Sequence, residues 1–334
     1  MGKDRLSRQD EKGAALATVL VMTAVMSGLA IILLDAARFS LQRAANQVEM
    51  DQTRWYLMGA EAYAAGRIDR LLAARETTPV DIARWIGQPL SLPLDDGSMQ
   101  ITVLDGGNCY NLNSLVAQGE GGPLLASEAG RVRFAVLLKL LGMENGLRLA
   151  DALADWIDTD TAPALAGAED EAYGGDGAAY LPPNSLLGDT SELRAIKGFD
   201  EAIIARIAPL VCVRPTPGAN VLNVNTLRST QAALLAATFG AGLSLAQAER
   251  VIAERPPNGW SSVGDFLKDP RLAGVGISEE TRALFSVLPR WYVIAIRVQH
   301  QGASETSLVL VDAASGHPRT IRRVFGANPA GALL

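Results

Sequence analysis

Few residue types in this chain are available for chemistry. Its 334 residues include only two histidines, His300 and His317, and two cysteines, Cys109 and Cys212. That count excludes a multi-histidine zinc site and a four-thiolate site alike. Carboxylates are the remaining resource, and they are concentrated. Between positions 151 and 200 eleven acidic residues face only Arg194 and Lys197, a local net charge of −9 in a chain whose total is −6. Within that window DALADWIDTDTAPALAGAEDEAYGG ends a helical pattern in Asp155, Asp158 and Asp160, loops through Pro163 and Gly167, and returns at Glu169 and Asp170. Carboxylates at a helix C-terminus sit against the unfavourable end of the dipole, so something must compensate them. A hard divalent cation that takes carboxylate, carbonyl and water oxygens would do so; a solvated acidic loop is the alternative. With Asp158 as the first loop position, Ala162 and Pro163 fall at the fifth and sixth, so the segment is not an EF-hand.

Enzyme chemistry is not expected. Paired Asp residues can act as acid and base, but neither histidine lies near a nucleophile motif and no Gly-x-Ser-x-Gly is present. Gly174-Gly175-Asp176-Gly177 follows no strand pattern, which argues against a phosphate loop.

The elements that must position these groups begin with a block of apolar residues. Ala14 to Leu34 is 21 residues without a charge, roughly 32 Å at the helical rise and sufficient to cross a bilayer core. A secretory signal peptide would be shorter and end in a small-x-small cleavage site. Here the pattern continues through DAARFSLQRAANQVEMDQTRWYLMGAEAYAAGRIDRLL with apolar residues at helical spacing and no proline, which predicts one rod of about 90 Å from Ala14 to about Leu72. Lys3, Arg5, Arg8 and Lys12 outnumber the acids of the leader. The N-terminus is therefore expected in the cytoplasm and the bulk exported. Export puts Cys109 and Cys212 in an oxidising compartment, where they form either a disulfide or two buried thiols. A bond closing a loop of roughly a hundred residues would stabilise by roughly 4–5 kcal/mol.

Beyond the rod, SLPLDDGSMQITVLDGGNCYNLN reads as a turn followed by a strand, and a long helical region follows from about Leu115 to Leu288. Period two returns in WYVIAIRVQHQ, SLVLVDA and RTIRRVFGAN, an antiparallel meander. Asn111-Leu112-Asn113 and Asn223-Val224-Asn225-Thr226 echo each other, each a little after a cysteine. They are expected to cap helices at Asn113 or Ser114 and at Asn225 or Thr226. The fold class is α+β: a long N-terminal helix on a small antiparallel sheet, interrupted by a helical insertion of two similar subdomains.

A short charged leader ending in Gly13, followed by an apolar helix that continues as an amphipathic one, resembles the type IV prepilin-like leader. By that resemblance prepilin peptidase would cut between Gly13 and Ala14. Prepilins carry Glu at the fifth mature position; this chain has Thr18. That departure, the split sheet and the large helical insert resemble the minor pseudopilin K family of type II secretion systems. The resemblance implies a structural protein at the tip of a periplasmic pseudopilus, with the bulk in the periplasm and one helix in inner-membrane lipid. Minor pseudopilins I and J would be its partners, with pseudopilin H and the major pseudopilin below. The domains implied are a leader at 1–13, a membrane helix at 14–34 continuing to about 75, sheet pieces at 76–112 and 286–334, and an insert at 113–285 divided near 214.

The family's calcium in the inserted domain, together with Asp-Trp-Ile-Asp and Gly-Ala-Glu-Asp here, implies structural Ca²⁺ held by Asp155, Asp158, Asp160, Glu169 and Asp170, with a backbone carbonyl among 161–167. The competing reading is a nucleic-acid module, because LNVNTLRSTQAALLAATFG and AQAERVIAERPPNGWSSVGDFLKD resemble helix-hairpin-helix domains. Phe239-Gly240-Ala241-Gly242 carries no adjacent basic residue and the chain is acidic, so nucleic acid is not expected as a partner.

Overall fold

The computed structural model describes residues 3–74, 78–120, 122–174 and 180–326; Asp176 of the acidic window, with Gly175 and Gly177, lies outside them. Helix α1 runs unbroken from Lys3 to Ala73, so it starts ahead of the expected Ala14 and carries the leader in the same rod. From Ala14 to Gln47 every residue is exposed, and the mean hydropathy of the apolar window reaches 2.4. Nothing in the fold covers this stretch, and by length and apolarity it can cross a membrane. Further along, Thr53, Leu57, Ala60, Ala64 and Ile68 form one buried stripe at helical spacing. Helix α2 (Pro79–Trp85) is started by a capping box. Thr78 Oγ accepts from the Asp81 backbone N–H and the Asp81 carboxylate accepts from that of Thr78, with Pro79 preset for the first turn.

Strands β1 (Pro89–Leu94) and β2 (Gly97–Asp105) form a hairpin. The segment expected to be a turn before one strand is therefore itself a strand. Its prolines are tolerated because β1 lies at the sheet edge, where Pro89 and Pro93 forfeit no necessary ladder bond. The chain then leaves the sheet and builds an insert from β3 (Tyr110–Asn111), β4 (Val116–Gln118), β5 (Leu124–Ala126), α3 (Glu128–Leu140), α4 (Gly146–Ile157), α5 (Asp170–Tyr173), α6 (Glu201–Ile207) and β6 (Val211–Cys212). It continues through β7 (Leu222–Asn223), α7 (Ala232–Thr238), α8 (Leu245–Ala253), α9 (Val263–Leu267), α10 (Glu279–Arg282) and β8 (Phe285–Ser286). Strands β9 (Trp291–His300), β10 (Ala303–Asp312) and β11 (Arg319–Phe325) complete an antiparallel sheet of order β1-β2-β9-β10-β11.

One face of this sheet, through Ile101, Val103, Tyr292, Ile294, Ile296, Val298 and Val309, packs on the buried stripe of α1. A polar pin fixes the register. Glu61 accepts from Arg323 Nε (2.6 Å), Arg323 Nη2 (2.8 Å) and Thr320 Oγ (2.9 Å), joining α1 to β11. Tyr56 packs against His300 at one end of the sheet, the rings tilted with centroids 5.2 Å apart, and Asp69 meets His317 at the other (2.9 Å). Helix α1 thus climbs from the Gly97–His300 end to the Asp105–Trp291 end, and the insert departs from the end remote from the apolar run.

The insert is two units of the same plan. In the first, β3 pairs in parallel with β6; in the second, β7 pairs in parallel with β8. Asn113 lies fully buried inside the first. Its amide donates to the carbonyls of Leu187 (3.0 Å) and Arg214 (2.7 Å) and accepts from Leu187 N–H (2.9 Å). Asn225 repeats the pattern in the second, donating to Trp260 O (2.9 Å) and Val287 O (3.5 Å) and accepting from Trp260 N–H (2.8 Å). The echoed asparagines are therefore long-range latches, not the helix caps expected at Asn113 or Ser114 and Asn225 or Thr226. The short cap is made one position pair earlier, where Asn111 accepts from Asn113 N–H and Asn223 from Asn225 N–H. A primary amide can mimic a peptide group, so it pairs with a distant strand-like backbone as readily as with a helix end.

At the base of the first unit Cys109 and Cys212 are joined, with Cα atoms 5.8 Å apart. Arg214, fully buried, lies against the same corner. It donates to Gly106 O and faces the Trp291 ring at 5.3 Å. Asp105 ties the sheet to the second unit, accepting from Thr226 Oγ (2.6 Å) and Asn223 Nδ2 (3.0 Å); burial pushes its carboxyl up.

Candidate metal centre

Helix α4 presents Asp151, Asp155 and Asp158 at i, i+4 and i+7, one face of a helix. All three are buried, at 2%, 1% and 2% exposure. Two of them are engaged with protein. Asp155 accepts the backbone N–H groups of Ala164 (3.1 Å) and Ala168 (2.8 Å), and Asp151 accepts that of Ala166 (3.3 Å) while pairing with Arg131 at 2.7 Å. Alternate amides from Ala164 to Ala168 are thus held on that helix face. Gly167 is required by close approach, since a Cβ there would lie 1.8 Å from Asp155 Oδ2. The loop's start is fastened by Thr159, whose N–H and Oγ both donate to Leu124 O at 3.0 Å.

The loop returns Glu169 to the end of α4. Asp158, Asp160 and Glu169 each aim a carboxylate oxygen into one spot, all within 4.8 Å of one another. Asp160 spends one oxygen on Ala162 N–H (2.9 Å). Asp158 Oδ1 and both oxygens of Glu169 are buried without a hydrogen-bond partner among the described residues. Burial and the neighbouring carboxylates push Asp158 and Glu169 up to about 7. Asp170, exposed, opens the four-residue α5 and lines a cavity beside Glu169 with Thr161, Pro163 and Glu171.

The five residues expected as ligands therefore divide. Asp158, Asp160 and Glu169 converge, Asp170 stands beside them, and Asp155 holds the loop through backbone amides. Sequence reasoning missed Asp151, Arg131 and Gly167. The i, i+4, i+7 spacing of the aspartates was available as a signal; the arginine, from another helix, had none.

The donor set fits a hard cation. It is oxygen only, its buried oxygens lack partners, and three carboxylates packed this closely repel unless positive charge lies between them. Asp158, Asp160 and Glu169 would hold such an ion, with Asp170 next to Glu169 in the chain. The ion would supply charge neutralisation and a cross-link between the end of α4 and the start of α5.

The sequence profile of the family described as type II secretion system protein K matches residues 108–216 and a second profile of the same description matches 222–287, the two halves of the insert. A type II secretion system protein K of Klebsiella pneumoniae is 36% identical over 264 residues, 78% of this chain and 80% of its own length. That of Dickeya chrysanthemi is 31% identical over 334 residues, 86% and 90% of the two chains. Among solved structures, a chain of the GspK-GspI-GspJ complex of enterotoxigenic Escherichia coli superposes with a TM-score of 0.70 at 25% identity, covering 86% of this chain and all of its own.

Proposed function

Because this chain belongs to the type II secretion system protein K family, we propose that it is a minor pseudopilin at the tip of the periplasmic pseudopilus, where it supports protein export across the outer membrane. Its partners on this reading are minor pseudopilins I and J, with pseudopilin H and the major pseudopilin below. The similar E. coli chain was solved in a GspK-GspI-GspJ complex, which supports the first two.

The observation that carries the tip position is where the insert sits. It leaves the sheet at Asp105 and re-enters at Trp291, at the end remote from the apolar run, and so occupies the volume in which a subunit above would stack. Thr18 supports the same reading. Its hydroxyl donates to the carbonyls of Ala14 (3.1 Å) and Ala15 (2.8 Å) of its own helix and offers no carboxylate to a neighbour's terminal amine. Prepilin peptidase would release the mature chain between Gly13 and Ala14, leaving Ala14 to Leu34 in inner-membrane lipid and the rest in the periplasm. Calcium at Asp158, Asp160 and Glu169, with Asp170 beside it, is a structural ion on this reading, binding the acidic loop to α4.

Co-expression with candidate pseudopilins I and J, followed by purification in detergent and size-exclusion chromatography, tests the assembly. A stable ternary complex is expected, and its absence rejects the tip role. Mass spectrometry of the membrane-inserted chain tests processing. Retention of residues 1–13 rejects it.

A further inference from the structure

The cation reading leaves one arginine unexplained. Arg131 projects from α3, twenty residues before its partner, and its Nη1 meets Asp151 Oδ1 at 2.7 Å, with 23% and 3% of the two side chains exposed. The other oxygen of Asp151 accepts Ala166 N–H. Asp155, one turn on, accepts Ala164 and Ala168 and fills the space beneath Gly167. These contacts determine the path of residues 164–168, and that path brings Glu169 back to Asp158 and Asp160.

We infer that Arg131 is a positioning residue for the cation. By orienting Asp151 it fixes the loop that delivers Glu169, and so it sets calcium affinity without touching the ion. The inference rests on the calcium reading above and adds a residue to it. Groups that orient metal ligands from outside the coordination shell commonly change affinity roughly 10–100-fold when removed.

The sign of the effect separates positioning from plain electrostatics. Arg131 is a positive charge near an acidic cluster. If charge were its whole role, removing it would leave Asp151 unbalanced and tighten cation binding. If it braces the loop, removing it weakens binding. The double change Arg131→Met with Asp151→Asn sharpens the contrast, because it leaves the net charge of the pair unchanged while abolishing the brace.

The test is calorimetric titration of Ca²⁺ into the full chain in detergent, for the parent and for Arg131→Met, Arg131→Lys and the double variant. Circular dichroism and melting in EGTA monitor the fold. Arg131→Met and the double variant are expected to bind roughly 10-fold or more weakly, and Arg131→Lys, which keeps the charge and one donor, to recover most of the loss. Equal or tighter binding by Arg131→Met or by the double variant overturns the inference and leaves the calcium reading standing. Failure of the parent chain to bind Ca²⁺ overturns the reading and the inference together. Should Arg131→Met not fold, the charge-balanced double variant decides: binding weaker than that of the parent supports the brace, and parental or tighter binding overturns the inference.

Discussion

The two helical units of the insert are built on the same latch and share one apolar core, but the first adds a long acidic loop. In the first, 74 residues separate Asn113 from Leu187; in the second, only 35 separate Asn225 from Trp260. The shorter excursion is filled with aromatic rings. Phe239 and Phe266 pack on Phe285 at 5.0 and 5.1 Å, and Trp260 on Phe266 at 5.0 Å. Arg255 reinforces it by donating to the carbonyls of Asn225 and Leu227. The longer excursion contains the acidic loop, held by backbone amides on two aspartates and ending in carboxylates that face one another. Apolar packing stabilises by burial alone, whereas a cluster of buried carboxylates needs a counter-charge. On the calcium reading proposed above, the extra length of the first unit is the part an ion would fasten, and the disulfide at its base is a second fastening that the other unit does without.

The largest effect that would break this comparison concerns the latches. Asn113→Ala and Asn225→Ala each remove three hydrogen bonds and leave buried backbone groups unpaired, at roughly 3–5 kcal/mol. Urea unfolding in saturating calcium should give similar losses for the two; a loss below about 1 kcal/mol at one site would show that the latches are not equivalent. Next is removal of the ion. A bound calcium ion at a hundredfold excess over its dissociation constant would contribute about 2.7 kcal/mol, so EGTA should raise hydrogen exchange across 159–173 and leave 225–260 unchanged. Equal deprotection of both segments would refute the assignment.

Acidity gives a third test. Without calcium, Asp158 and Glu169 have folded-state values raised to about 7, above those of an unfolded chain. Their neutral forms favour folding, so this contribution is fully present below the unfolded values and is lost as pH rises through about 7. Thermal melts in EGTA between pH 5 and 8 should decline, and the Asp158→Asn, Glu169→Gln chain should decline less. A flat profile for the parent would show that the two carboxylates do not share a desolvated site. The smallest effect is steric. Gly167→Ala must push Asp155 or the loop aside, costing roughly 1–2 kcal/mol, whereas Gly274→Ala, in the second unit with φ +83° and no atom near a Cβ, reports only backbone strain. Melting temperatures of the two variants separate crowding from conformation.

Local signals in the sequence carried much of this architecture. The charge-free run from Ala14 to Leu34 marks α1, the alternation in WYVIAIRVQH marks β9, and the helical spacing of Asp151, Asp155 and Asp158 puts three carboxylates on one face of α4. What remained illegible depends on partners far apart in the chain. Asn113 and Asn225 look like caps because a cap is the nearest use for asparagine, and only the fold supplies Leu187 and Trp260. The loop-holding role of Asp155 is seen only when the fold brings Ala164 and Ala168 onto its oxygens. Strand β1 was hidden by prolines that an edge position excuses.

The contact between α1 and the sheet also decides how the molecule carries load. Leu57, Ala60, Ala64 and Ile68 lie along the helix axis, so a thrust delivered through the rod acts on that interface in shear, with all four contacts and the Glu61–Arg323 pin resisting together. The insert receives the same thrust through two covalent crossings, at Asp105 and at Trp291. Cys109 and Cys212 stand just beyond the first, so force entering there is passed across a covalent bridge to the far end of the first unit and bypasses the acidic loop.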